Sequence, residues 1–258
     1  MTAGRAPAAD IAAEAGHVLA GCAAHDVTAR LIGGLAVASH LHTPTPPALE
    51  RGYGDIDLVI GRKQGRAAKA ALTELGYVAN DRFNALHGDR RLLFYDEPNG
   101  RQLDVFVGVF SMCHTLDLTG RLSLLPGTLP VADLLLTKLQ VVKINAKDLV
   151  DATQLLRNHQ LGQGDEPGAD HLSLARLRAV TSTDWGWYTT LSDNLAKVPG
   201  FAAGALAEPD AAAVTARVAA IKQAIDGAGK SLRWKARARL GRHSPWYELP
   251  EEVAGTHG

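Results

Sequence analysis

The sequence predicts an α/β (α+β) fold, in which a mixed sheet flanked by helices is followed by a C-terminal helical module. Up to about residue 125, short apolar runs bounded by glycine and proline alternate with amphipathic stretches, the pattern of sheet and helix in one layer set. From there onward the apolar spacing is helical. The 258 residues suffice for one large domain or two small ones, so a boundary near 120–130 separates 1–125 from 126–258.

Taken in order, residues 8–25 carry apolar positions at helical spacing. TARLIGG is a strand that ends at a glycine turn, and GLAVASHL is a short helix after it. HTPTPPALERGY excludes regular structure, because its prolines lack N–H donors and fix φ. DIDLVI is a second strand. RKQGRAAKAALTELGY is an amphipathic helix with Gly76 as its C-cap. NALHG, RRLLFY and RQLDVFVG follow as three strand-like runs separated by turn residues. Beyond residue 128, VADLLLTKLQVV, AKDLVDATQLLRNH, HLSLARLRAVTS, DWGWYTTLSDNLAKV, AAAVTARVAAIKQAIDG and GKSLRWKARARLG are helices.

Composition excludes several classes. Formal net charge is zero, so binding to nucleic acid has to come from a local basic patch. The two cysteines, Cys22 and Cys113, have no neighbouring Cys/His cluster, which excludes a local zinc knuckle or disulfide framework and fits a reducing cytoplasm. Acids at Asp10 and Glu14 interrupt the N-terminal apolar stretch, so it is expected to be a helix and not a signal peptide. No run of about 18 apolar residues is present, and no membrane partner is expected.

The chemistry concentrates between Leu31 and Ile60. Gly33 and Gly34 open a helix, and Asp55 and Asp57 share one face of a strand because side chains alternate along it. Carboxylates aimed at one point repel unless a cation lies between them, and an oxygen-rich site of this kind suits Mg²⁺. Asp104, in RQLDVFVG, supplies a third acid. A diglycine before a helix, Asp-x-Asp on a strand and a lone Asp on a later strand resemble the nucleotidyltransferase superfamily, with its DNA polymerase beta-like fold. The resemblance implies that Asp55, Asp57 and Asp104 bind magnesium, Asp104 nearest the attacking hydroxyl. It also implies that Gly33 and Gly34 let the backbone approach the phosphates of a nucleoside triphosphate. The chain departs from the pattern in a longer loop, TPTPPALERGYG, and in Leu35 where many members have Ser or Thr.

A further constellation is VADLLLTKLQVVKINAKDLVDATQLL. It is similar to the AbiEii/AbiGii-type toxin nucleotidyltransferases, which include the MenT-type toxins. That similarity implies Lys138 as the phosphate-binding lysine and Asp148 as the helix acid, with Asp151 one turn on as the alternative. Lys143 and Asn145 stand near where the family commonly has Arg.

The segment 230–243 carries Lys230, Arg233, Lys235, Arg237, Arg239, Arg242 and His243 with no acid among them, a patch that could grip an RNA backbone. The more ordinary expectation is that it docks on an acidic face of the same chain. His40, His42, His87, His114, His159 and His171 are scattered without metal-ligand spacing, and their expected role is structural. Trp185, Trp187 and Tyr188 are expected in a helix core. The expected function is transfer of a nucleoside monophosphate to an acceptor hydroxyl with release of pyrophosphate. The family resemblance implies RNA, such as a tRNA 3′ end, as acceptor and an antitoxin as partner. The alternatives are the same chemistry on an aminoglycoside-type antibiotic, or a non-catalytic nucleotide- or RNA-binding module.

Overall fold

Asp10 starts the first ordered helix by accepting the backbone N–H of Ala13 at 2.7 Å, which satisfies one of the donors left open at a helix start. The computed structural model describes residues 6–249. Its first half runs α1 (Ile11–Ala24), β1 (Ala29–Ile32), α2 (Gly33–Ser39), β2 (Ile56–Ile60), α3 (Gly65–Glu74), β3 (Val78–Ala79), α4 (Asp81–His87), β4 (Arg91–Asp96) and β5 (Arg101–Val107). A hairpin of β6 (Val109–Ser111) and β7 (Thr115–Asp117) follows.

The second half contains α5 (Val131–Leu139), α6 (Ala146–Asn158), the short parallel pair β8 (Leu161–Gly162) and β9 (Leu172–Ser173), and α7 (Leu174–Thr183). Then come α8 (Trp185–Leu195), α9 (Val198–Ala205), α10 (Glu208–Gly227) and α11 (Leu232–Leu240).

The five-stranded sheet has the order β1-β2-β5-β4-β3. Only the β2–β5 pair is parallel; the other three pairs are antiparallel. β2 and β5 lie toward its middle and are almost entirely buried, as strands covered on both faces are. α5 is buried along nearly its whole circumference, and its apolar sequence matches that position. It packs beside α2 and α6, so the apolar core continues from the sheet into the helical half.

Three elements differ from the sequence expectation: the proline-rich run, expected to hold no regular structure, carries a short 3-10 helix over Pro47–Leu49, because proline fits the first turn of a helix. NALHG is not a strand: Asn80 accepts the backbone N–H of Phe83 at 3.0 Å and caps α4 over these residues. The capping side chain outweighs the short apolar run. The stretch after Leu195 also breaks, because Pro199 starts a separate helix, α9. Among the described residues, no helix is long and apolar enough to cross a membrane.

Candidate active site

The parallel pairing of β2 with β5 puts Asp57 directly beside Asp104. In-register residues of neighbouring strands point to the same face, so the two carboxylates share one side of the sheet. On its other edge β2 pairs with β1, where Ile32 opposes Asp57 just before the diglycine. Asp55 lies one residue ahead of β2 and is exposed.

The electrostatics of Asp57 follow from this crowding. Burial pushes its carboxyl up to about 7, and the negative charges of Asp104 and Asp55 push in the same direction. Lys138 and Arg91 oppose the rise without cancelling it. Asp104 is held differently. Arg91 Nε donates to its Oδ1 at 2.7 Å and Gln102 Nε2 to its Oδ2 at 2.7 Å.

Gly33 and Gly34 make room at this edge. Gly33 has φ +71°, a backbone region costly for other residues. A Cβ there would stand 2.0 Å from Asp57 Oδ2, and one at Gly34 would stand 2.0 Å from Arg51 Nη2. The space that the diglycine leaves is occupied by the chain's own Asp57 and Arg51 side chains.

The helical half closes the site from the other side. Lys138, near the end of α5, lies 2.8 Å from Asp151 Oδ2 and 3.4 Å from Asp148 Oδ1, both on α6. Burial pulls its ammonium down, but Asp151, Asp148 and Asp57 outweigh burial and hold it above the ordinary lysine range. Asn145 caps α6 through the N–H of Asp148, which sets that acid in the first turn. Burial raises the Asp148 carboxyl, with Lys138 opposing.

Arg51 completes the arrangement. It forms a two-pronged ion pair with Asp151, Nε to Oδ1 at 2.9 Å and Nη2 to Oδ2 at 2.7 Å, and its guanidinium lies 4.6 Å from the centre of the Tyr53 ring. Five carboxylates (Asp55, Asp57, Asp104, Asp148, Asp151) thus gather around three cations (Arg51, Arg91, Lys138). The surplus is negative, and a divalent cation is the ion that such a surplus favours.

The donor set fits magnesium in kind, since it consists of carboxylate oxygens. Asp104 uses one hydrogen bond on each oxygen and keeps further lone pairs on both. As placed, Asp55, Asp57 and Asp104 do not draw one oxygen each to within 4.8 Å of one another. Among the described residues, that closeness is reached by His40, His159 and Asp170, at a different position.

Sequence reasoning passed over three groups. Arg51 sits in the proline-rich loop; its only signal is a cation just ahead of Asp55. Arg91 looks like any strand-end arginine until β4 sets it across from Asp104's strand. The structure also corrects the reading of the histidines as separate: His40 and His159, with 118 residues between them, lie within reach of Asp170.

The basic segment is placed on α11, which has no buried residue. Arg242 pairs with Asp193 at 2.7 Å, while Arg233, Lys235 and Arg239 are exposed with no ion pair among the described residues. Trp187 is buried as expected, but Trp185 borders a cleft of about 680 Å³ together with Arg237, Trp234 and Trp246. No protein-family model matches the chain, and no curated protein matches its sequence.

Proposed function

We propose that the chain is a magnesium-dependent nucleotidyltransferase that moves a nucleoside monophosphate from a triphosphate to an acceptor hydroxyl. The observation that carries this reading is the register of β2 against β5, with Asp57 beside Asp104 at the start of α2 and Lys138 facing them. Asp57 and Asp104, with Asp55 at the rim, would hold the magnesium. When bound, the metal supplies charge neutralisation for the entering and leaving oxygens of an in-line displacement.

The rest falls to the protein's own side chains. Lys138 and Arg51 are the cations available to the triphosphate, and Asp148 and Asp151 hold them in place beforehand. Arg91 and Gln102 fix the orientation of Asp104, so little reorganisation is left for the transition state. For the acceptor we favour RNA, such as a tRNA 3′ end. The exposed cations of α11, without an ion pair among the described residues and next to a tryptophan-lined cleft, are suited to a phosphate backbone and stacked bases. A role as the toxin of a toxin–antitoxin pair goes with that acceptor. A second reading keeps the chemistry and takes a cationic aminoglycoside-type antibiotic instead. Its support is an open cleft of about 770 Å³ walled by Glu50, Arg51 and Tyr53.

The test incubates the protein with each labelled nucleoside triphosphate, magnesium, and either total tRNA or a panel of cationic antibiotics. Label on RNA is expected. Label on a drug moves the assignment to the second reading. Absence of transfer to either, or transfer that survives Asp57→Ala within a few-fold, overturns the proposal.

A further inference from the structure

Away from the carboxylate edge, three imidazoles and one carboxylate collect where the C-terminal ends of α2 and α6 meet. His40 follows α2 and His159 follows α6, each as the C-cap residue. Both are buried. His159 Nδ1 lies 3.0 Å from Asp170 Oδ1, and His42 Nε2 lies 3.0 Å from Asp170 Oδ2. The His42 and His159 rings are 5.1 Å apart.

Hydrogen bonding places a proton on one nitrogen of His159. Its Nε2 lies 2.9 Å from the carbonyl oxygen of His40, which can only accept, so Nε2 carries the proton. In the neutral ring Nδ1 is then a bare acceptor. It is buried and makes no hydrogen bond, although a carboxylate oxygen stands 3.0 Å away. An acceptor facing an acceptor at that distance is repulsive unless a cation lies between them.

We propose that His40, His159 and Asp170 bind a borderline divalent cation of the zinc type, with His42 outside the ligand set and holding the second oxygen of Asp170. Imidazole nitrogen with one carboxylate is a donor set for zinc and not for magnesium. Around a tetrahedral ion with bonds of about 2.0–2.2 Å, donor atoms stand roughly 3.3 Å apart. The 3.0 Å edge between His159 and Asp170 is already close to that, and donor atoms of His40, His159 and Asp170 all lie within 4.8 Å of one another. Supporting contacts are in place as well. His159 gives its other N–H to a backbone carbonyl, and Thr128 Oγ1 lies 2.7 Å from His40 Nε2.

The site would be structural. It ties α2 to α6 at the ends opposite their carboxylate edge and holds the start of the proline-rich loop. Asn158 already clamps that loop by accepting the N–H groups of His42 and Thr43. Arg51, further along the same loop, is the cation that reaches Asp151.

The experiment strips the full chain with a chelator, then titrates it with zinc against a chromophoric competitor while melting is followed with and without zinc. We expect about one equivalent bound with a raised melting temperature, unaffected by excess magnesium and retained by Asp57→Ala. Asp170→Asn changes an exposed residue and keeps the fold. It should weaken zinc binding by more than the roughly 10–100-fold that loss of an outer partner costs, and should abolish the rise in melting temperature. His159→Gln should do the same. No competition for zinc by the wild-type chain, or wild-type zinc binding by Asp170→Asn, overturns the site and leaves His159–Asp170 as an imidazolium–carboxylate pair.

Discussion

The two ends of helices α2 and α6 hold opposite kinds of buried ionisable groups. At their N-terminal ends are carboxylates: Asp57 against Gly33, and Asp148 and Asp151 against Lys138. At their C-terminal ends are imidazoles, His40 and His159, with a single exposed carboxylate. The first cluster is crowded with charge and strained by it; burial and like-charge repulsion together push Asp57 to about 7. The second gathers imidazoles, and its cost is a buried nitrogen of His159 without a hydrogen-bond partner. The same two helices therefore present hard oxygen donors at one end and nitrogen donors at the other.

The largest expected effect tests whether the acid cluster is one electrostatic unit. Lys138 is buried between Asp148 and Asp151 and is also felt by Asp57. Lys138→Ala leaves buried acids without their cation and should cost about 3–5 kcal/mol in denaturant unfolding. A loss below about 1 kcal/mol would mean that Arg51 alone suffices for Asp151 and that the unit is smaller than described here. If triphosphate use is measured on the folded fraction, the Michaelis constant should rise more than the rate falls.

Next in size is Asp57→Asn, which separates function from stability. Transfer should fall by roughly 10²–10³-fold or more, because a group that acts on developing charge is lost. In chelator, stability at neutral pH should rise, because a carboxyl held at about 7 is costly to ionise. An unchanged or lower melting temperature would show that Asp57 is not electrostatically destabilised, and the contrast between the two ends would fail. Active sites often carry such a trade-off.

Gly33→Ala follows, at about 1–3 kcal/mol, because φ +71° strains any side chain and the new Cβ meets Asp57 Oδ2. The matching change at the other end, Ser39→Ala, removes a hydroxyl that only returns to the Ala36 carbonyl and should cost well under about 1 kcal/mol. Equal costs measured by thermal melting would remove the asymmetry.

These comparisons also show how far the site could be read from the residues. Asp57 and Asp104 were legible because an acid inside an apolar strand contradicts the pattern around it. Their side-by-side placement needed only that the two strands be neighbours. Lys138 and Asp148 were singled out together and do lie side by side, whereas Asp151 stands nearer to Lys138 than Asp148 does, at 2.8 Å against 3.4 Å. Arg51 and the imidazole cluster were not legible. Their contacts join positions about a hundred residues apart through the packing of α2 on α6, and no local period encodes that. NALHG failed for a local reason: one asparagine cap decided a run too short for its periodicity to do so.

A last test sets a buried imidazole elsewhere in the fold against Asp57 and reads a sign. His114 packs against Trp187 and lies 2.9 Å from Thr190 Oγ1; burial pushes its ring down to about 4, with Asp184 opposing. In the unfolded chain it titrates near 6.5. Between these values the unfolded state binds more protons than the native one, so the contribution of His114 is full above about 6.5 and falls as pH falls. Asp57 has the reverse sign. Its native value near 7 lies above its unfolded value of about 3.9, so its contribution falls as pH rises through that window. Between about pH 4 and 6.5 the two slopes oppose each other and partly hide one another in the wild-type chain. In chelator, His114→Gln should shift the pH dependence of unfolding free energy toward lower pH, by about 2 kcal/mol between pH 6.5 and 5. Asp57→Asn should shift it the other way. If both substitutions move the curve in the same direction, the buried carboxyl and the buried imidazole do not oppose each other.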